Sequence, residues 1–106
     1  MEAKGSQSYQ NNMSDFLQQL EAILQDRKAN PSPNSYTTQL LTQGEDEIVK
    51  KIGEEAVEVV VAVKGQGHQR VIEESADLVY HLLVLLVQQG LSWSDILAEL
   101  ERRHKR

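Results

Sequence analysis

The sequence predicts an all-α protein, an antiparallel helical bundle completed by homodimerisation. Three observations carry this. Apolar residues recur at helical spacing in each long segment. Both prolines fall in one short stretch between segments, Pro31 and Pro33. Two of the segments turn apolar nearly all round, at Val57–Val63 and Leu78–Val87. A helix of that kind must be buried on every side. The rest of a 106-residue chain is too small to wrap both, so a second copy supplies the cover.

Taken in order, residues 1–13 are rich in Gln, Asn and Ser and read as a disordered tail. The single domain is expected over 14–106. Ser14 is a candidate cap for a first helix, "SDFLQQLEAILQDRK", whose Phe16, Leu17, Leu20, Ile23 and Leu24 share a face. "NPSPNS" is a loop, since its prolines block a helix. A short helical segment, "SYTTQLLTQ", leads to Gly44. From Glu45 to Lys64 the acids and Lys51 keep helical spacing, which outweighs the strand-like run Val59, Val60, Val61. "KGQGHQ" is a turn, and a second long helix runs from about His68 to Gln89, ended by Gly90. A last helix opens at "SWSD", with Ser92 or Ser94 as cap, and closes in the basic "RRHKR", which complements the helix dipole.

Composition excludes several functions. The net charge of -5, from 16 acids and 11 bases, speaks against a general nucleic-acid binder. The chain has no cysteine, which removes disulfides and thiolate-zinc sites. The polar start "MEAKGSQSYQNN" is no signal peptide, and no apolar run is long enough to span a bilayer. A cytoplasmic protein with a small-molecule substrate, no nucleic-acid partner and no membrane partner is expected.

The acids carry the chemistry. Glu55 and Glu58 are three residues apart, as are Glu74 and Asp77, so each pair shares a helix face. In an antiparallel hairpin centred on Gln66, Glu58 comes level with Glu74, Glu55 with Asp77, and Lys51 with His81. Helix axes about 8–10 Å apart let four carboxylates converge. Unrelieved, they would repel and hold protons. A hard cation resolves this, and oxygen-only donors suit magnesium, with manganese as a substitute. Such a metal, shared with substrate phosphates, activates water and neutralises a leaving pyrophosphate. Singly, any of these glutamates is a solvated helix residue; Glu54 and Glu73 suit that role or a supporting one. His81 reads as a satisfied core histidine, and Tyr80 and Trp93 as core or interface residues. Lys50 and Lys51 have glutamates at pairing distance along the helix, and Lys64 is likewise read as balancing the acids of its helix.

Glu55-x-x-Glu58 followed by Glu74-x-x-Asp77 resembles the signature of the MazG-like all-α nucleotide pyrophosphohydrolases. "SYTTQLLTQG", "IVKKIGEEAVEVVVA" and "ESADLVYHLLVLL" narrow the likeness to the phosphoribosyl-ATP pyrophosphatase family, over about Phe16 to Arg102. The resemblance implies magnesium-dependent hydrolysis of phosphoribosyl-ATP to phosphoribosyl-AMP and pyrophosphate, the second step of histidine biosynthesis. It implies Glu55, Glu58, Glu74 and Asp77 as metal ligands and Lys51 as a phosphate contact. It places Ser35, Tyr36 and Thr37 at the substrate side. The general base is one of the four acids or Glu54, with Glu54, Glu55 and Glu58 the catalytic candidates. Lys64, Arg70, Arg102 and Arg103 are candidates for the phosphoribosyl group. With no cysteine for the zinc site of the cyclohydrolase to which this enzyme is sometimes fused, the stand-alone form is expected.

Three other readings compete. A MazG-like housecleaning enzyme would cleave ordinary or damaged nucleoside triphosphates; "SYTTQLL" argues against it. A di-iron bundle would use Glu-x-x-His pairs, which His81 does not complete. A non-catalytic dimerisation module would leave the acids merely solvated.

Overall fold

The computed structural model describes the backbone of residues 2–105 and the side chains of residues 16–105. Five helices account for the fold: α1 (Glu2–Ala29), α2 (Tyr36–Gln43), α3 (Glu45–Gly65), α4 (His68–Gln88) and α5 (Trp93–His104). There is no strand among the described residues. The valine run of α3 is helical, so side-chain context overrides its β propensity there.

One boundary differs from expectation. α1 is continuous from Glu2, so Ser14 lies inside it and does not cap its start. The side chains of the stretch expected as a tail, 1–13, lie outside the described residues.

The other ends follow local chemistry. Ser35 caps α2, its side chain accepting from the Thr38 backbone N–H. Ser92, not Ser94, caps α5 in a capping box with Asp95. α4 ends in a double bond pattern: the Gly90 N–H donates to the Val87 carbonyl at 3.1 Å and the Leu91 N–H to the Leu86 carbonyl at 2.7 Å. That Schellman geometry needs a left-handed residue, which Gly90 supplies at φ 75°. Lys28, from the last turn of α1, donates to the same Val87 carbonyl at 3.1 Å. A charged donor thus satisfies the end of α4 and ties α1 to it. A few residues on, Glu21 of α1 accepts from the Trp93 backbone N–H at 2.8 Å and anchors α5.

α3 and α4 form an antiparallel hairpin about Gln66 and Gly67, the most extensive helix pairing in the molecule. The core lies at its open end, where Leu24 of α1, Leu40 of α2, Ile48 of α3 and Leu83, Val84, Leu86 and Val87 of α4 interlock. The apolar stretch of α4 is therefore largely covered within one chain. The valine run of α3 is not: Val57, Val60, Val61 and Val63 are exposed, as is Ile72 of α4. No helix among the described residues is long and apolar enough to cross a membrane.

Candidate functional site

Midway along the hairpin, α3 and α4 enclose an open cleft of about 760 Å³ lined by Gly53, Glu54, Glu55, Val57, Glu58, Glu74 and Asp77. Helix pitch puts the acids of each helix on one face, and the tight turn aligns the two faces. Glu55, Glu74 and Asp77 each bring a carboxylate oxygen to within 4.8 Å of the others. Glu58 lines the same cleft nearer the hairpin tip, outside that group of three. Glu54 lines the rim and faces Lys51 at 3.7 Å.

The cluster is electrostatically loaded. Glu74 is only 6% exposed. The Glu55 carboxyl is raised above the usual range, first by burial, then by its hydrogen bond with Glu74, then by the charge of Asp77. One cation already answers part of this charge. Arg70, one turn before the cluster on α4, pairs with Glu73 at 2.5 Å and also with Glu74. Its pull holds Glu73 below the usual carboxylate range. Arg70, read from the sequence as a phosphoribosyl contact, is here engaged with the acid cluster. Arg102 and Arg103 both pair with Glu99 on α5, and Lys64 lies in the exposed last turn of α3.

The segment expected at the substrate side divides by role. The Ser35 oxygen is committed to capping α2. Thr37 is buried and hydrogen-bonded to the Tyr80 hydroxyl. Tyr36 alone of the three presents much surface, and its hydroxyl lies 2.9 Å from His81 Nε2. Burial raises the Tyr36 phenol pKa, while Lys51 opposes the shift. His81 is the satisfied core histidine expected, with Nδ1 2.9 Å from the Asp77 carbonyl. Sequence spacing gave no sign that Tyr36, Tyr80 and His81 assemble. The Tyr36 and Tyr80 rings stack at 6.3 Å, and His81 stands edge-on to both.

A second cleft, about 480 Å³, lies between α1 and α5 and is lined chiefly by Phe16, Leu17, Ala22, Trp93 and Leu97. Its one acid, Glu21, is spent on the α5 cap. The acidic cluster is in the α3–α4 cleft.

The donor set there suits a hard divalent cation: clustered oxygens, no sulfur or imidazole among them, and a negative charge that Arg70 answers only in part. Comparison with known proteins identifies the chain's relatives. The model of the family described as "Phosphoribosyl-ATP pyrophosphohydrolase" matches residues 17–104. A phosphoribosyl-ATP pyrophosphatase of Pyrobaculum aerophilum is 54% identical over 90 residues, 85% of this chain and 96% of that protein. One of Limosilactobacillus fermentum is 52% identical over 82% of this chain and 85% of its own length. A histidine biosynthesis bifunctional protein of Caldanaerobacter subterraneus is 40% identical, and the match takes in 58% of its length. With the acid pairs, the hairpin and the family match in agreement, the chain belongs to the phosphoribosyl-ATP pyrophosphohydrolase family.

Proposed function

We propose that this protein hydrolyses phosphoribosyl-ATP between its α and β phosphates, releasing phosphoribosyl-AMP and pyrophosphate in the second step of histidine biosynthesis, in the cytoplasm. The observation that carries the reading is the convergence of Glu55, Glu74 and Asp77 in a cleft of the hairpin, in a chain of this family. Glu55, Glu58, Glu74 and Asp77 hold magnesium, for which manganese substitutes. When bound, the metal supplies charge neutralisation for the pyrophosphate and acidifies a water.

The chain's own residues do the rest. Lys51, at the rim beside Glu54, offers a point cation to a substrate phosphate. Tyr36 faces the substrate, and Ser35 and Thr37 hold it there by fixing the start of α2. A water that gives its proton to a carboxylate of Glu54, Glu55 or Glu58 forms a P–O bond to one phosphorus of the α–β anhydride, and the bridging P–O bond breaks as pyrophosphate leaves.

A homodimer belongs to this reading. The exposed valines of α3 with Ile72 form an apolar face beside the cleft, and a second copy covers it.

The test is pyrophosphate release from phosphoribosyl-ATP with and without magnesium, with ATP and dUTP as controls. Release from phosphoribosyl-ATP alone, and only with the metal, is expected. Equal release from ATP or dUTP would overturn the substrate; metal-independent release would overturn the site.

A further inference from the structure

We infer that His81 is a positioning residue that locks the substrate-facing Tyr36 to the backbone of the acid cluster; this rests on the proposed reaction. His81 Nδ1 lies 2.9 Å from the Asp77 carbonyl oxygen, and His81 Nε2 lies 2.9 Å from the Tyr36 hydroxyl.

The carbonyl is an acceptor only, so Nδ1 must carry the proton. In the neutral ring Nε2 is then an acceptor, and the Tyr36 hydroxyl must donate to it. One ring therefore bonds a tyrosine 45 positions away to the backbone of its own helix. It fixes its own tautomer on α4, four residues from Asp77, and uses it to orient a side chain at the start of α2.

The surroundings leave the pair little freedom. His81 is 5% exposed and stands edge-on to both the Tyr36 and Tyr80 rings. Tyr80 is hydrogen-bonded to Thr37, the next residue along α2. Two adjacent residues of α2 are thus bonded to two adjacent residues of α4, and Tyr36 keeps 46% of its surface exposed. A half-exposed aromatic held this closely, beside Lys51 and Glu55 whose charges it feels, is pre-organised for a ligand and loses little freedom on binding it. His81 itself touches neither substrate nor metal. It acts through Tyr36.

Two variants of His81 separate its two bonds. An asparagine side chain places an amide at the Nδ1 position and cannot reach Tyr36. A glutamine reaches the Nε2 position with an oxygen that accepts from the tyrosine. We expect His81→Asn and Tyr36→Phe each to raise KM for phosphoribosyl-ATP about tenfold, the worth of one well-placed hydrogen bond. Magnesium affinity should stay unchanged. The double variant should be no worse than either single one, because both remove the same bond. His81→Gln should recover most of the loss. Additive losses, wild-type KM in His81→Asn, or equal damage from Asn and Gln would each overturn the inference. So would nitrogen NMR shifts placing the neutral His81 proton on Nε2, a readout that needs no turnover. Wild-type protein inactive on phosphoribosyl-ATP would instead fail the proposed reaction, a result these variants cannot mimic.

Discussion

Glu55 on α3 and Asp77 on α4 face one another across the hairpin, and with Glu74 their carboxylate oxygens fall within 4.8 Å. Like charges so placed weaken the fold unless a cation joins them. The pair is therefore where folding and function compete.

Glu55→Gln and Asp77→Asn remove one charge each and keep the side-chain shape. Without divalent cation both should be as stable as the parent or melt a few degrees higher. Pyrophosphate release should fall at least about a hundredfold. A folded variant that retained parental turnover would dismiss the cluster as the reacting site.

Magnesium should stabilise the parent by about 2.7 kcal/mol at a hundredfold excess over its dissociation constant. The sign of the pH dependence follows from Glu55. Its folded pKa is raised above the unfolded value, so the protonated acid favours the fold. That contribution is complete below the ordinary carboxylate range and is lost as pH rises through the raised folded value. In chelator, stability attributable to this group should fall over that window. Saturating magnesium should reverse the trend, and its melting shift should be larger at about pH 7.5 than at about pH 4.5. Thermal melts at both pH values, with metal and with chelator, decide it; equal shifts would remove the carboxylates as the metal's site.

Arg70→Met takes away the guanidinium that pairs with Glu73 and the buried Glu74. The cation-free protein should melt lower than the parent, and added magnesium should close most of the gap. A loss of stability that magnesium left untouched would place the role of Arg70 outside the cluster.

Val60→Asp tests the dimer. Val60 is 60% exposed in the single chain, so the helix itself tolerates the change. Sedimentation should show the parent as a dimer and the variant as a folded monomer at the same concentration. An unchanged dimer would move the interface to another face.

Leu83→Ala tests the core. Leu83 is fully buried where α1, α2 and α3 meet α4, and truncation should cost about 2–5 kcal/mol in denaturant unfolding. A cost under about 1 kcal/mol would mean that the open end of the hairpin is not the stabilising core.

What the sequence alone determined is what short-range chemistry controls. Prolines at 31 and 33 interrupt the helices, Gly90 permits the turn that ends α4, and a serine of "SWSD" caps α5, with Ser92 chosen over Ser94 only in the fold. Each acts through neighbours within a few residues. The acid pairs were legible for the same reason: three-residue spacing puts two carboxylates on one helix face. The turn between Gly65 and Gly67 then set the register that brings Glu55 to Asp77. Ser35 carried a readable signal that pointed elsewhere, since a serine ahead of "YTTQLL" is an N-cap pattern and its oxygen is spent there. Only the tertiary structure decided which acids meet and what holds them. Glu58 shares the helix face and lines the cleft, yet its carboxylate falls outside the trio. Arg70 had acids within pairing distance on its own helix, yet nothing local showed that Glu74 would be buried beneath it. The Tyr36–His81 bond joins positions 45 residues apart. Contacts of that range depend on how whole helices dock, because packing against a shared core sets the position of every side chain on a helix together.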